Sequence, residues 1–374
     1  MEKGFLIARH YRTGKPVRLT WEKGVLDSLE ELRETPSSLP WVAPGLVDVQ
    51  LNGFAGIDFN SEDLTQEAWD YAQQRIQETG CVYFLATVVT APKETYARRL
   101  RLLESFRQKG LDGCIGFHLE GPFLNPGGGY RGVHNPAYMS LLDEHWLEDV
   151  TRASSGAVRL ITVAPECGNG VSFIVRARRL GVRVALGHSA SDSKVLMAAV
   201  QAGALLWTHF GNGLPHLLPK WDPTFWGVLA CGPPFVSLIP DGFHIPPEAF
   251  KVLVRLLGVR LILTTDATAA AEAKPGTYRL GELKIERGAD GIARSPDGKL
   301  AGSSLCPFFA VFRAADLSGL PWPWLWDAYS IRPASLLGMI HDLRVGCRAS
   351  FCVFEVEPVP RLAAVFVNGE RKVG

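Results

Sequence analysis

The sequence lacks the marks of secreted, membrane-spanning, nucleic-acid-binding and dinucleotide-binding chains. Its seven cysteines, Cys81, Cys114, Cys167, Cys231, Cys306, Cys347 and Cys352, are an odd set with no Cys-x-x-Cys pair. That argues against a disulfide framework and against a Cys-rich zinc site. The first residues are not followed by a long apolar run with a cleavage site, so no secretory signal is expected. No apolar stretch has the length needed to cross a bilayer, so no membrane partner is expected and the cytoplasm is the expected compartment. Lys and Arg total 39 against 38 Asp and Glu, a net charge of +1. No basic block stands out, which makes nucleic acid a poor fit as a partner. No Gly-x-Gly-x-x-Gly follows an early strand, which removes support for a dinucleotide fold. No internal repeat or low-complexity tract is visible.

What is present is a large apolar fraction, 47% of 374 residues, enough for one large domain or a large and a small one. The 38 glycines and 25 prolines are scattered, as many βα turns would scatter them. Both ends are β-rich. Phe5–Ala8 and Val17–Thr20 read as strands near the start, and Ser350–Glu355 and Ala363–Gly369 near the end. A sheet built from both termini, with a long insertion between, accounts for that.

In the middle, eight short apolar runs alternate with helical stretches. The runs are Gly45–Gln50, Val82–Thr87, Cys114–His118, Arg159–Val163, Arg183–Gly187, Leu205–Thr208, Phe235–Ile239 and Arg260–Thr264. The helical stretches include Glu67–Thr79, Glu94–Lys109, Phe173–Leu180, Ser193–Ala202 and Pro247–Leu257. Alternation of this kind predicts a parallel sheet with crossover helices. Eight units fit a TIM-like (β/α)8 barrel, whose active site lies at the C-terminal strand ends.

Polar residues fall at those ends: Gln50 and Asn52, His118 and Glu120, His188, His209, His244 and Asp266. His118 and Glu120 are two apart and share one face of a strand. One carboxylate and two imidazoles, Glu120 with His188 and His209, match a catalytic zinc site with three protein ligands and an open position. A metal so held lowers the pKa of its water to about 7, and Asp266 is the candidate base for that proton. Each residue also has a plainer reading. A single His beside a strand is commonly a satisfied core or surface group, and Asp266 could cap the following helix. The recurrence at strand end after strand end favours the site.

The chain resembles the N-acetylglucosamine-6-phosphate deacetylases of the amidohydrolase superfamily over nearly its whole length. The resemblance rests on Pro44-Gly-Leu-Val-Asp-Val-Gln-Leu-Asn-Gly53, His118-Leu-Glu-Gly-Pro-Phe-Leu-Asn125, Gly132-Val-His-Asn-Pro136, Gly187-His-Ser189, Thr208-His209 with Asn212 and Pro215, Asp241-Gly-Phe-His244, Thr265-Asp-Ala267, Leu300-Ala-Gly-Ser-Ser-Leu305, Arg332-Pro-Ala334 and Val367-Asn-Gly369. It implies an α/β fold in which a barrel carries a small β-sandwich built from both termini. The expected division is 1–45 plus 345–374 for the sandwich and 46–344 for the barrel. It implies Glu120, His188 and His209 as metal ligands and Asp266 as the catalytic acid/base. His134, Asn212, the Gly213 backbone and His244 would hold the sugar or its phosphate, and His118 would support the site. Ser303 and Ser304 receive no role.

Many amidohydrolases begin the barrel with His-x-His, which binds a second metal. Here Gln50 and Asn52 stand there, and neutral amides are poor zinc ligands. Some members of the resembled family share this pair and use one metal. The expected cofactor is therefore one divalent ion, zinc, with iron, cobalt or manganese as alternatives. Two departures touch the substrate. Relatives usually have Asn-Ala-Met-Pro where this chain has Asn212-Gly-Leu-Pro215. They then carry an arginine that grips phosphate, often in the neighbouring subunit's site. Lys220 sits near that position, and Trp221 and Trp226 are additions, read either as packing or interface residues or as a sugar-stacking platform.

The expected reaction is hydrolysis of N-acetylglucosamine-6-phosphate to glucosamine-6-phosphate and acetate, by a homodimer or larger homo-oligomer. The alternatives are an unphosphorylated or different N-acetyl amino sugar, an N-acyl-D-amino acid, and a non-catalytic sugar sensor. The sensor is disfavoured because Asp266 and the Glu-His-His set are all retained.

Overall fold

The computed structural model describes residues 3–33 and 38–373. Residues 1, 2, 34–37 and 374, which fall within the segments expected to form the sandwich, lie outside the described residues. The expected (β/α)8 barrel is present. Its eight strands are Leu46–Leu51, Cys81–Val89, Cys114–Glu120, Val158–Val163, Arg183–Leu186, Leu206–Trp207, Phe235–Leu238 and Leu261–Leu263. They lie side by side in chain order, and every ladder is parallel.

Each strand is followed by a helix: Gln66–Glu78, Lys93–Lys109, Glu144–Ala153, Gly170–Arg179, Ser193–Ala202, Pro223–Cys231, Pro247–Leu257 and Pro307–Ser318. Local chemistry sets the helix starts. Thr65, Asp143, Asn169, Asp192 and Asp222 each accept a first-turn N–H, which satisfies a donor that the helix itself leaves free. Pro occupies the first turn of the last three helices, where its missing N–H costs nothing. Gly203 ends the fifth helix in a left-handed conformation, φ 112°. The strands are buried on both faces, as parallel strands under a ring of helices must be.

The seam between the first and eighth strands is closed largely by one side chain. Asp48, fully buried, accepts from Thr264 Oγ1 at 2.5 Å, Thr265 N at 3.0 Å, Thr265 Oγ1 at 2.5 Å and Tyr329 OH at 2.5 Å. Beyond it, Asn52 N donates to Ala267 O at 2.8 Å. Burial pushes the Asp48 carboxyl above its ordinary range, and these donors act in the opposite direction.

Both termini contribute to one seven-stranded sheet. Its order is Glu370–Val373, Arg361–Val367, Phe351–Glu355, Trp41–Pro44, Gly4–His10, Pro16–Glu22 and Val25–Glu31. Trp21, near one edge, packs edge-on against Phe351 and Phe366 with ring centroids 5.2 Å away. Those residues stand on strands several places distant, so the sheet curls over itself as a small sandwich. Trp326 joins it to the barrel by stacking on Phe354 at 4.6 Å and donating to Pro44 O at 2.8 Å.

Sequence reading missed three strands of this sheet: Val25–Glu31, Trp41–Pro44 and Glu370–Val373. The first carries three acidic residues, and the other two are four residues long. It also missed a small three-stranded sheet, Gly276–Leu280, Leu283–Arg287 and Ala293–Arg294, inserted between the eighth strand and its helix. Gly281 N donates to the buried Asp58 Oδ2 at 2.7 Å, fixing the insert beside the barrel mouth. Among the described residues, no helix is long and apolar enough to cross a membrane.

Candidate active site

The C-terminal strand ends converge at one mouth, and the backbone there is unusual. His188, His209 and Asp266 have φ values of 50°, 30° and 51°. Non-glycine residues adopt this left-handed region at a cost of about 1–3 kcal/mol each, and such positions cluster at functional sites. Here the kink at the end of a strand presents each side chain to the others across the mouth.

The four side chains that meet are Glu120, His134, His188 and His209. Glu120 Oε1 lies 2.7 Å from His209 Nε2 and 3.4 Å from His188 Nε2, and Oε2 lies 3.7 Å from His134 Nε2. Donor atoms of Glu120, His134 and His188 lie within 4.8 Å of one another. That trio differs from the expected ligand set by exchanging His209 for His134. His209 stands a full ångström nearer the carboxylate than His134 and follows the sixth barrel strand by two residues, whereas His134 lies on a long loop.

The amides at the His-x-His positions are engaged as donors. Gln50 Nε2 donates to Glu120 Oε1 at 2.9 Å, and Asn52 Nδ2 donates to Asp266 Oδ1 at 2.7 Å. They orient the two carboxylates. His118 is placed elsewhere, its Nε2 2.7 Å from Thr162 Oγ1, which in turn contacts Thr208 Oγ1 at 2.8 Å. Burial pushes His118 down to about 4.

The donor set fits a divalent cation. His188 Nδ1 lies 2.6 Å from the Tyr130 carbonyl, which can accept but not donate. Nδ1 therefore carries the proton, and Nε2 faces the site with a free lone pair, buried and without a protein partner. Burial alone would raise Glu120, yet the imidazoles around it, His209 nearest at 2.7 Å, hold it well below the usual carboxylate range. Burial, with His188 beside it, pushes His134 down to about 3, so this imidazole is neutral at ordinary pH. Asp266 goes the other way. Burial and the neighbouring Glu120 push it up to about 8. A cation in the cluster would draw that value down.

A cleft of about 1680 Å³ opens over the cluster. His134, Asn212, Gly213 and His244 line it, as do Arg131 and Arg279. Lys220 does not. It is exposed, its ammonium lies 5.4 Å from the centre of the Trp221 ring, and its carbonyl accepts from Trp226 Nε1 at 3.1 Å. The loop turns Lys220 outward, away from the cleft of its own chain and onto a tryptophan that is itself 71% exposed.

Three elements of the site were not read from sequence. The Tyr130 carbonyl leaves no mark in sequence. Asp241 holds His244 through Oδ2–Nδ1 at 2.5 Å and also accepts the backbone N–H groups of Phe243 and His244. The Asp-x-x-His spacing was its signal. Glu166 lies just past the fourth strand, where the reading of strand ends would have found it.

No family model matches the chain. Curated relatives and solved structures do. The chain is 32% identical over 346 residues to an N-acetylglucosamine-6-phosphate deacetylase of Mus musculus, covering 88% of this chain and 82% of that one. It is 30% identical to an N-acetylgalactosamine-6-phosphate deacetylase of Escherichia coli O157:H7, covering 87% of each. A Mycobacterium smegmatis N-acetyl-D-glucosamine-6-phosphate deacetylase variant, solved with N-acetyl-D-glucosamine-6-phosphate, superposes with TM-score 0.89 at 28% identity over 100% of both chains. Fold and site thus define a barrel hydrolase of the amidohydrolase superfamily. Within it, the chain belongs to the N-acetylglucosamine-6-phosphate deacetylase family.

The raised Asp266 gives a signed prediction for the metal-stripped protein. A carboxyl with a folded pKa near 8 against an ordinary 3.8 favours the fold while protonated. That contribution is complete below about pH 4 and is lost as pH rises through about 8. Denaturation midpoints of metal-stripped protein should fall between pH 5 and pH 8 more steeply than those of Asp266→Asn. Equal slopes would mean that Asp266 is not raised.

Proposed function

We propose that the chain hydrolyses the acetamide of N-acetylglucosamine-6-phosphate, releasing glucosamine-6-phosphate and acetate. The observation that carries this reading is the pairing, at one barrel mouth, of the Glu120–His188–His209 cluster with Asp266, whose Oδ1 is held by Asn52 while Oδ2 is left for chemistry. One divalent ion, zinc, is proposed on Glu120, His188 and His209, because one carboxylate and two imidazoles suit zinc with a position left open. When bound, such an ion supplies Lewis-acid polarisation and an acidified water.

Asp266 takes the proton of the attacking water and gives it to the departing amine, base first and acid second. His134, its side chain buried beside Glu120, is proposed to donate to the developing oxyanion. Asn212, the Gly213 backbone and His244, oriented by Asp241, are proposed to hold the sugar and its phosphate. Lys220 is proposed to serve the cleft of a neighbouring subunit in a homodimer or larger assembly. The exposure of Leu217 at 91% and Trp221 at 71% on the same loop supports that reading. The proposed compartment is the cytoplasm. The proposed units are 1–45 with 345–374, and 46–344.

Protein purified without added metal should contain close to one divalent ion per chain. Asp266→Asn should keep that ion and lose kcat by at least ~10²-fold, the usual scale for a general base. Two tightly held ions, or near-parental turnover in the variant, would contradict these assignments.

The phosphate is tested by acetate release from phosphorylated and free sugars. A charged contact of about 1.5–3 kcal/mol corresponds to roughly ten- to a hundredfold in kcat/KM. N-acetylglucosamine-6-phosphate should be preferred over N-acetylglucosamine by that order, and Lys220→Ala should raise KM for the phosphorylated sugar. Equal turnover of the free sugar, with Lys220→Ala silent, would favour an unphosphorylated substrate and Trp221 as a sugar platform.

A further inference from the structure

The hydrogen bonds of Glu166 tie its own strand-end loop to two others at the mouth. Its own loop follows the fourth strand. Oε1 accepts from Ala190 N at 2.6 Å and from Asn125 Nδ2 at 2.9 Å. Oε2 accepts from Ser189 Oγ at 2.8 Å and Ser191 Oγ at 2.7 Å. Ala190, Ser189 and Ser191 belong to the turn directly after His188, and Asn125 belongs to the loop after the third strand.

These bonds bear on His188 by two routes. Asn125 N donates to the His188 carbonyl at 2.9 Å, so the Glu166–Asn125 pair grips the left-handed residue from both sides. Asn125 Oδ1 also accepts Gly127 N at 2.8 Å, and Tyr130 N donates to Gly127 O at 3.2 Å. That fixes the loop whose Tyr130 carbonyl sets the proton on His188 Nδ1. Backbone angle and ring tautomer therefore both run back to one carboxylate.

We propose that Glu166 is a positioning residue that holds His188 in the geometry needed to ligate the metal. The inference rests on the reading of His188 as a ligand. It is an argument about shape rather than charge, and the donors on Glu166 make the distinction testable. In Glu166→Gln the amide oxygen can take the place of Oε1, before the two N–H groups. The amide nitrogen then faces Ser189 and Ser191, whose hydroxyls can turn and accept. Glu166→Ala removes the acceptor that these four donors share.

The probe is cobalt(II) alone, titrated into the metal-stripped full chain and followed by its visible absorption. Groups that hold a metal-bound histidine in place typically govern 10–100-fold in affinity. Glu166→Ala should weaken cobalt binding by roughly that factor and alter the spectrum, while Glu166→Gln stays within a few-fold of the parent. The double variant Ser189→Ala, Ser191→Ala removes the Oε2 donors, together with the Ser189 Oγ acceptor of Ser191 N, keeps the Oε1 bonds and should fall between; it also stands in if Glu166→Ala does not fold. His188→Ala is the control. If it loses cobalt while Glu166→Ala or the double variant binds and absorbs as the parent does, the positioning role is overturned and the ligand reading stands. If His188→Ala itself retains parental cobalt binding, the ligand reading fails. A Glu166→Gln variant as impaired as Glu166→Ala would overturn the shape argument in favour of charge.

Discussion

A carboxylate buried without a full positive charge beside it is the constraint around which the rest of this molecule is arranged. Glu120 is 3% exposed, and among the described residues the basic groups beside it are three imidazoles, with no lysine or arginine in reach. An isolated buried charge is expensive and usually neutralises itself by shifting its pKa. Glu120 moves the other way and stays ionised. Gln50 donates to it, and His209 Nε2 lies 2.7 Å away, both of which favour the ionised form. The arrangement is complete when a cation lies between carboxylate and imidazoles. The same field raises Asp266, so two carboxyls at one mouth are driven to opposite states and suited to different tasks.

Holding such a cluster together requires a frame that closes on itself. Asp48 locks the first strand to Thr264 and Thr265, which directly follow the last strand and precede Asp266. The first strand also carries Gln50 and Asn52. One buried seam therefore sets the distance between the amide donors and the two carboxyls they orient. The left-handed backbone at His188, His209 and Asp266 is the local cost of aiming side chains inward from strand ends. The loop bonds around Asn125 and Glu166 show how that cost is met at His188. Sequence distance is no guide here, because Asn52 and Asp266 are 214 positions apart and in direct contact.

The barrel was legible because its signal is periodic and repeated. All eight apolar runs became strands, with boundaries shifted by a few residues at most. The strand-end residues were legible because the fold fixes where chemistry can occur, and that rule assembled Glu120, His188, His209 and Asp266 before any contact was known. Contacts made by backbone, such as the Tyr130 carbonyl, leave no residue-type signal. Short strands such as Trp41–Pro44 are recognisable only through their partners. Lys220 marks a different limit. Its position in the chain suggested a phosphate contact, but where the loop points its side chain is decided by packing, here by Trp221 and Trp226. Glu166 was within reach of the same rule and was passed over because the fourth strand's end was not read.

The central claim is that Glu120, His188 and His209 hold one divalent ion beside Asp266. The most direct test is anomalous diffraction at the zinc absorption edge from crystals of the zinc-loaded protein. One peak per chain, bonded to Glu120, His188 Nε2 and His209 Nε2, is the predicted result. A peak on Glu120, His134 and His188 without His209, a second peak at Gln50 and Asn52, or none at the barrel mouth would contradict the account.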